Sequence, residues 1–218
     1  MENKEKSENK ERILIKARDL FMRYGIRSIT MDDIAAQLGI SKKTIYQFFT
    51  DKDEMVEAVV DEEIKENEEA CRQFKTDAEN AVQEVFLAME NMQKMLKTMN
   101  PQLMYDLEKH HQGAFRRLKQ YKYQFLYSMI KENLERGQHE DVYRGDLNPD
   151  ITIRHRIETA FMIFNQDAFP QNKFPMIQTC QELALLFLHS ICNVKGKKLI
   201  DQYLNERHKS TQHESKSL

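Results

Sequence analysis

TMDDIAAQLGISKKTIYQFF, residues 30–49, places two short helical periods on either side of a single glycine. Thr30 stands three residues before Asp33, the spacing at which a hydroxyl caps a helix start. Ile34 and Leu38 follow one helical turn apart, and Gly39 suits the tight turn where a positive φ ends that helix. Ser41 caps a further helix predicted over 42–49, whose Ile45 and Phe48 meet Ile34, Leu38 and Ile40. The small side chain of Ala35 lets the two helices cross closely. That arrangement leaves Lys42, Lys43, Thr44, Tyr46 and Gln47 on the outer part of the second helix.

The pattern meets the demands of a helix-turn-helix, in which the second helix enters a DNA major groove. The residue types suit that role. Thr44 and Tyr46 hydroxyls reach phosphate oxygens, Gln47 pairs with adenine N6 and N7, and Lys42 or Lys43 reaches guanine O6 and N7 or a phosphate. Ser41 and Thr30 sit at helix starts, where free amides and the helix dipole favour an anion, and Lys52 stands at the start of the next helix. The same side chains also serve simpler ends, Tyr46 as packing and Lys42 and Lys43 as solvated charges.

The surrounding chain is all-helical in composition: six glycines, four prolines and no tryptophan in 218 residues. Upstream, Ile13, Leu14, Ala17, Leu20, Phe21 and Tyr24 predict a helix stopped by Gly25. Downstream the periodicity predicts helices over 52–74, 78–98, 101–119 with a break near Gln112–Gly113, 121–137, 149–165, 175–193 and 196–209. The expected division is a DNA-binding head over 1–51, a larger helical domain over 52–209 and a polar tail over 210–218. Net charge is −2, but residues 1–50 carry ten Lys/Arg against seven Asp/Glu, and residues 51–70 carry two against ten. Only the head is suited to face a polyanion.

The opening MENKEKSENKER lacks the apolar run of a secretory signal, and ELALLFLHSICNV (182–194) is too short to span a bilayer. Three scattered cysteines fit a reduced, cytoplasmic protein. A single Glu108-x-x-His111 motif falls short of the paired motifs a di-iron bundle requires. No catalytic set, metal site or cofactor motif is expected. An all-helical metal protein, or an architectural DNA binder without a ligand, stays as the alternative.

ILIKARDLFMRYGIRSITMDDIAAQLGISKKTIYQFFTDKDEMVEAVV (13–60) resembles the N-terminal domain of TetR/AcrR-type transcriptional regulators. The resemblance rests on LF…YG, T-x-x-D-I-A, G-I-S-x-x-T-x-Y-x-x-F and K-D-E-M, with one departure at Lys43, where the family often has glycine. It implies a homodimer that binds an inverted repeat, a repressor more often than an activator, released by a small-molecule effector. Its recognition helices would lie about one DNA turn, roughly 35 Å, apart. The apolar content of the last long helices points to dimer contacts through Ile153, Ile157, Phe161, Leu183, Leu186, Phe187 and Ile191. Methionines and aromatics on the middle helices are either ordinary core or the wall of a pocket for an apolar effector, with Phe86, Met89, Met92, Leu103, Tyr105, Phe125 and Phe164 as candidates.

Overall fold

A computed structural model of the chain describes the backbone of residues 2–214 and the side chains of 6–207. Eleven α-helices occur among the described residues, with one isolated bridge between Tyr143 and Cys192 as the sole β pairing. They are α1 Glu2–Tyr24, α2 Met31–Leu38, α3 Lys42–Tyr46, α4 Lys52–Asp77, α5 Ala81–Leu96, α6 Leu103–His110, α7 Gln112–Gln120, α8 Tyr127–His139, α9 Pro149–Met162, α10 Met176–Ile191 and α11 Val194–Glu214. A π-helical turn over Tyr121–Leu126 joins α7 to α8.

Most boundaries follow the local signals. Asn148 caps α9 by accepting from the Ile151 N–H, with Pro149 in the first turn where its missing donor costs nothing. The expected break after α6 falls at His111, whose backbone leaves the helical region at φ −126°, ψ 66°. Three elements differ in length. Helix α1 begins at Glu2, because its charged first turns have high helix propensity even without an apolar stripe. Helix α3 closes at Tyr46, one turn early, and the Phe48 and Phe49 amides bond back to the Ile45 carbonyl. Helix α11 runs on to Glu214, into the stretch expected as a polar tail; 215–218 lie outside the described residues.

The chain divides into two compact units. The first comprises residues up to Glu68 together with Lys97–Tyr123, and the second comprises Glu69–Leu96 together with residues from Gln124 onward. The core of the first gathers Ile13, Ala17, Leu20 and Phe21 of α1, Ile34 and Ala35 of α2, Ile45 of α3, Met55 and Val56 of α4, and Leu107 of α6. Polar ties surround that core. Arg18 of α1 pairs with Glu63 and Glu66 of α4, and Arg117 of α7 reaches Glu57 and Asp61. His111 Nδ1 lies 2.5 Å from Asp53 Oδ1, which engages the histidine of the Glu-x-x-His motif in a contact with α4. The buried Asp106 carboxylate accepts from the Arg27 N–H at 3.0 Å.

The second unit is built on α5 against α10, with Val82, Phe86, Met89, Leu134, Ile153, Ile157, Phe187, Leu188, Ile191 and Ile200 in one apolar cluster. Arg136 is its polar hub: it donates to Glu140 at 2.6 Å, to Glu84 at 3.2 Å, and to the carbonyls of Ala78 and Lys75 at 2.8 and 3.2 Å. Beside it the buried Tyr143 hydroxyl sits 3.0 Å from the Ala81 carbonyl and 3.1 Å from Asn133 Oδ1. Gly137 lies directly under that ring; a Cβ there would stand 2.0 Å from Tyr143 Cδ2.

Candidate nucleic-acid interface

Two helices and a turn position the candidate site. Helix α2 opens with a complete capping box: the Asp33 N–H donates to Thr30 Oγ1 at 3.2 Å, and the Thr30 N–H donates to Asp33 Oδ2 at 2.8 Å. The Thr30 hydroxyl proton also goes to that carboxylate, at 2.6 Å. These bonds hold the Asp33 carboxyl below its ordinary range. Gly39 ends α2 at φ 65°, ψ 29°, with its N–H on the Ala36 carbonyl and the Ile40 N–H on the Ala35 carbonyl. Nothing lies within 4 Å of a Cβ built at Gly39. Backbone conformation, and not space, is therefore what calls for glycine there.

Ser41 caps α3, accepting from the Thr44 N–H at 3.1 Å, while the two hydroxyls share a bond of 2.9 Å. Ile45, fully buried, pins α3 to the core from below. Lys42 reaches across the turn to Asp32, with Nζ 2.8 Å from one carboxylate oxygen and 2.9 Å from the other. That bond raises the Lys42 ammonium above its ordinary value. The same Nζ lies 6.0 Å from the Tyr46 ring centroid. Helix α3 is thus held by a cap, a buried isoleucine and an ion pair, a rigid platform for what remains on its outer face.

What remains is narrower than the sequence suggests. Lys43, Tyr46 and Gln47 are exposed, Tyr46 to 44%. No ion pair engages Lys43 among the described residues. Ser41 and Thr44 spend their hydroxyls largely on each other, and Lys42 is committed to Asp32. Thr30 turns out to be a cap: Asp32 and Asp33 load the first turn of α2 with negative charge, so its amide end does not favour a phosphate.

Lys52 departs furthest from its expected role. Its ammonium donates to the Ile26 carbonyl at 2.6 Å and lies 6.0 Å from the Phe21 ring centroid, turned into the first unit. Burial pushes its pKa below the usual lysine value, against the pull of Asp106, Asp53 and Asp33. Asp32, which positions Lys42, is the partner that sequence reasoning missed. The two stand ten residues apart across a turn, a spacing outside any single-helix rule.

The other expected sites are placed as follows. Ile153, Ile157, Phe187 and Ile191, expected at a dimer interface, are at most 4% exposed within one chain. Their surface is consumed by the second unit's own core, so they are core residues and not interface. Leu186 is 64% exposed, and Phe161 and Leu183 are half-buried. Of the expected pocket residues, Leu103 and Tyr105 belong to the first unit, where Leu103 packs on the core and Tyr105 is exposed. Phe86, Met89, Met92, Phe125 and Phe164 belong to the second, with Phe86 and Met89 fully buried. Among the described residues no helix is long and apolar enough to cross a membrane.

The fold is shared with proteins of known structure. Residues 13–59 match the family model described as bacterial regulatory proteins, tetR family. An uncharacterized HTH-type transcriptional regulator of Bacillus subtilis (strain 168), YvaF, is 27% identical over 166 residues, covering 69% of this chain and 87% of that protein. A TetR-family regulator from Agrobacterium tumefaciens superposes with a TM-score of 0.72 at 15% identity, over 86% of this chain and all of its own. A putative regulator from Saccharomonospora viridis, solved with choline, superposes with a TM-score of 0.67 at 18% identity, over 86% of this chain and 99% of that one. With its capped helix pair and glycine turn lying inside the matched residues, the chain carries at 13–59 a helix-turn-helix segment that matches the bacterial tetR-family regulatory proteins.

Proposed function

We propose that the chain is a dimeric, ligand-responsive repressor that binds an inverted-repeat operator through residues 1–51 and takes its effector and its partner through residues 52–209. The observation that carries the DNA half is the exposed set Lys43, Tyr46 and Gln47 on a helix whose other side chains are tied down. Gln47 presents an amide suited to adenine, Tyr46 a hydroxyl on a rigid ring for a phosphate, and Lys43 an uncommitted cation.

The dimer half is supported by apolar side chains left open on α9 and α10: Leu186 at 64%, Met162 at 38% and Ile177 at 36%, beside the half-buried Phe161 and Leu183. Two copies paired through these helices would present their recognition helices to successive major grooves, about 35 Å apart. The effector half is supported by the Saccharomonospora relative, whose structure contains choline, and by the apolar Phe86, Met89, Met92 and Phe164 of the second unit. Effector binding would favour a dimer geometry that no longer matches the operator, a coupling of about 1–3 kcal/mol.

The test is selection of sheared genomic DNA from the source organism on purified protein at moderate salt, followed by sequencing. Enrichment of an inverted repeat with half-sites one helical turn apart is the expected result. Enrichment of single, unpaired sites would exclude the dimer. Uniform recovery of all sequences would exclude a specific operator.

A further inference from the structure

Arg156 of α9 is the feature of the second unit that its own packing does not explain. Its guanidinium lies over the Phe187 ring of α10, 5.2 Å from the centroid, and His155 stacks on the same ring at 6.3 Å. Tyr143 and Cys180 are the polar groups that interact with its charge. The Tyr143 hydroxyl is occupied by the Ala81 carbonyl and Asn133, and Cys180 is a free, half-buried thiol. The ring face engages the positive charge but accepts none of the five N–H donors of a guanidinium.

No carboxylate is among the groups that interact with its charge, and the half-buried carboxylates of this unit are engaged by other cations. In this unit the acidic residues that are at least half-buried are Glu84, Glu90, Glu132 and Glu140. Glu84 and Glu140 are held by Arg136, Glu90 by Arg207 and Glu132 by Lys75. No carboxylate pairs with Arg156 among the described residues. Burial holds its pKa below the usual arginine value, yet the residue keeps part of its surface open. An enclosed, reachable and uncompensated cation is unfavourable for the chain alone, and a bound anion relieves it.

We propose that Arg156 anchors the anionic head group, a carboxylate or a phosphate, of an amphipathic organic ligand. The planar fork of arginine suits both head groups through paired N–H bonds. The proposal adds an acid to the apolar effector expected from the methionines. It rests on the ligand-responsive reading above only for the consequence of binding, not for the binding itself.

Calorimetric titration of the full-length protein with dodecanoate, dodecyl phosphate and dodecanol tests it, using wild type, Arg156→Met and Arg156→Lys. Wild type should bind at least one of the two anions, and the tighter one assigns the head group. Arg156→Met should weaken that anion by about 10- to 100-fold, the range for bonds to a charged group, and leave dodecanol unchanged. Arg156→Lys, which keeps the charge but loses the fork, should fall between. The ligand-free Arg156→Met protein should melt at or above the wild-type temperature and keep its oligomeric state, because an apolar chain replaces an unpaired charge. Equal anion affinity in wild type and Arg156→Met, or no binding of either anion, overturns the proposal. So does an Arg156→Met protein that melts clearly lower or dissociates, which would make the arginine a structural or inter-copy contact. The genomic selection separates the two readings: Arg156-dependent anion binding without an operator removes the regulator and leaves the site, and an operator without anion binding does the reverse.

Discussion

Replacing Lys52 with methionine discriminates between a DNA contact and an internal tie. Methionine keeps an apolar stem of similar length and removes the ammonium, which lies 6.0 Å from the Phe21 ring centroid. A hydrogen bond from a charged donor contributes about 1.5–3 kcal/mol, and desolvation of the ammonium offsets part of it. The Ile26 carbonyl also keeps a second donor, the Ile29 N–H at 3.3 Å, so it is not orphaned by the change. The net loss should therefore be about 1 kcal/mol, a drop of about 2–4 °C in melting temperature for a chain of this size. DNA affinity measured across a salt series supplies the second readout. Each lysine on a phosphate contributes about 0.9 to the slope of log K against log salt. For an internal tie, the slope of the Lys52→Met protein matches wild type while its melting point falls. A slope shallower by about 0.9 with an unchanged melting point would refute the reasoning, and would mean that the Ile26 bond opens on DNA.

Lys43→Ala should show the opposite pair of results, a shallower salt slope by about 0.9 with unchanged stability, and Gln47→Ala should alter which bases are preferred in the selected sites. Gly137→Ala sets helix propensity, worth about 1 kcal/mol in favour of alanine, against a methyl driven into the buried Tyr143 ring, for which overpacking costs about 1–3 kcal/mol. A lower urea midpoint is expected, with Gly145→Ala, which meets nothing within 4 Å, as the unchanged control. Burial raises the Glu63 carboxyl above its ordinary 4.5, against Arg18, so the stability of its protonated form is present below that value and lost as pH rises through the raised one. The stability of wild type relative to Glu63→Gln should accordingly fall between pH 4.5 and neutrality. A gap that widens toward neutral pH would contradict that sign.

What the sequence determined by itself is the helix-turn-helix, because its signals are local. The Thr30–Asp33 box, the Gly39 turn and the Ser41 cap each act within three or four residues, where backbone stereochemistry and one hydrogen bond decide the outcome. The break at His111 and the start of α9 at Pro149 were legible for the same reason. Side-chain destinations were not. Periodicity marks Ile153, Ile157, Phe187 and Ile191 as one helical face each, but a greasy face reads the same whether its own core or a second copy covers it, and here the core does. Lys52 looked like a cation at a helix start until its carbonyl partner, 26 residues away, was in place. Lys42 needed Asp32 across the turn, and Arg156 becomes conspicuous only once the fold shows it over the Phe187 ring with no carboxylate paired to it among the described residues. Local chemistry shapes each helix, whereas the partner of a long charged side chain is chosen by whatever the fold brings within about 3 Å of it.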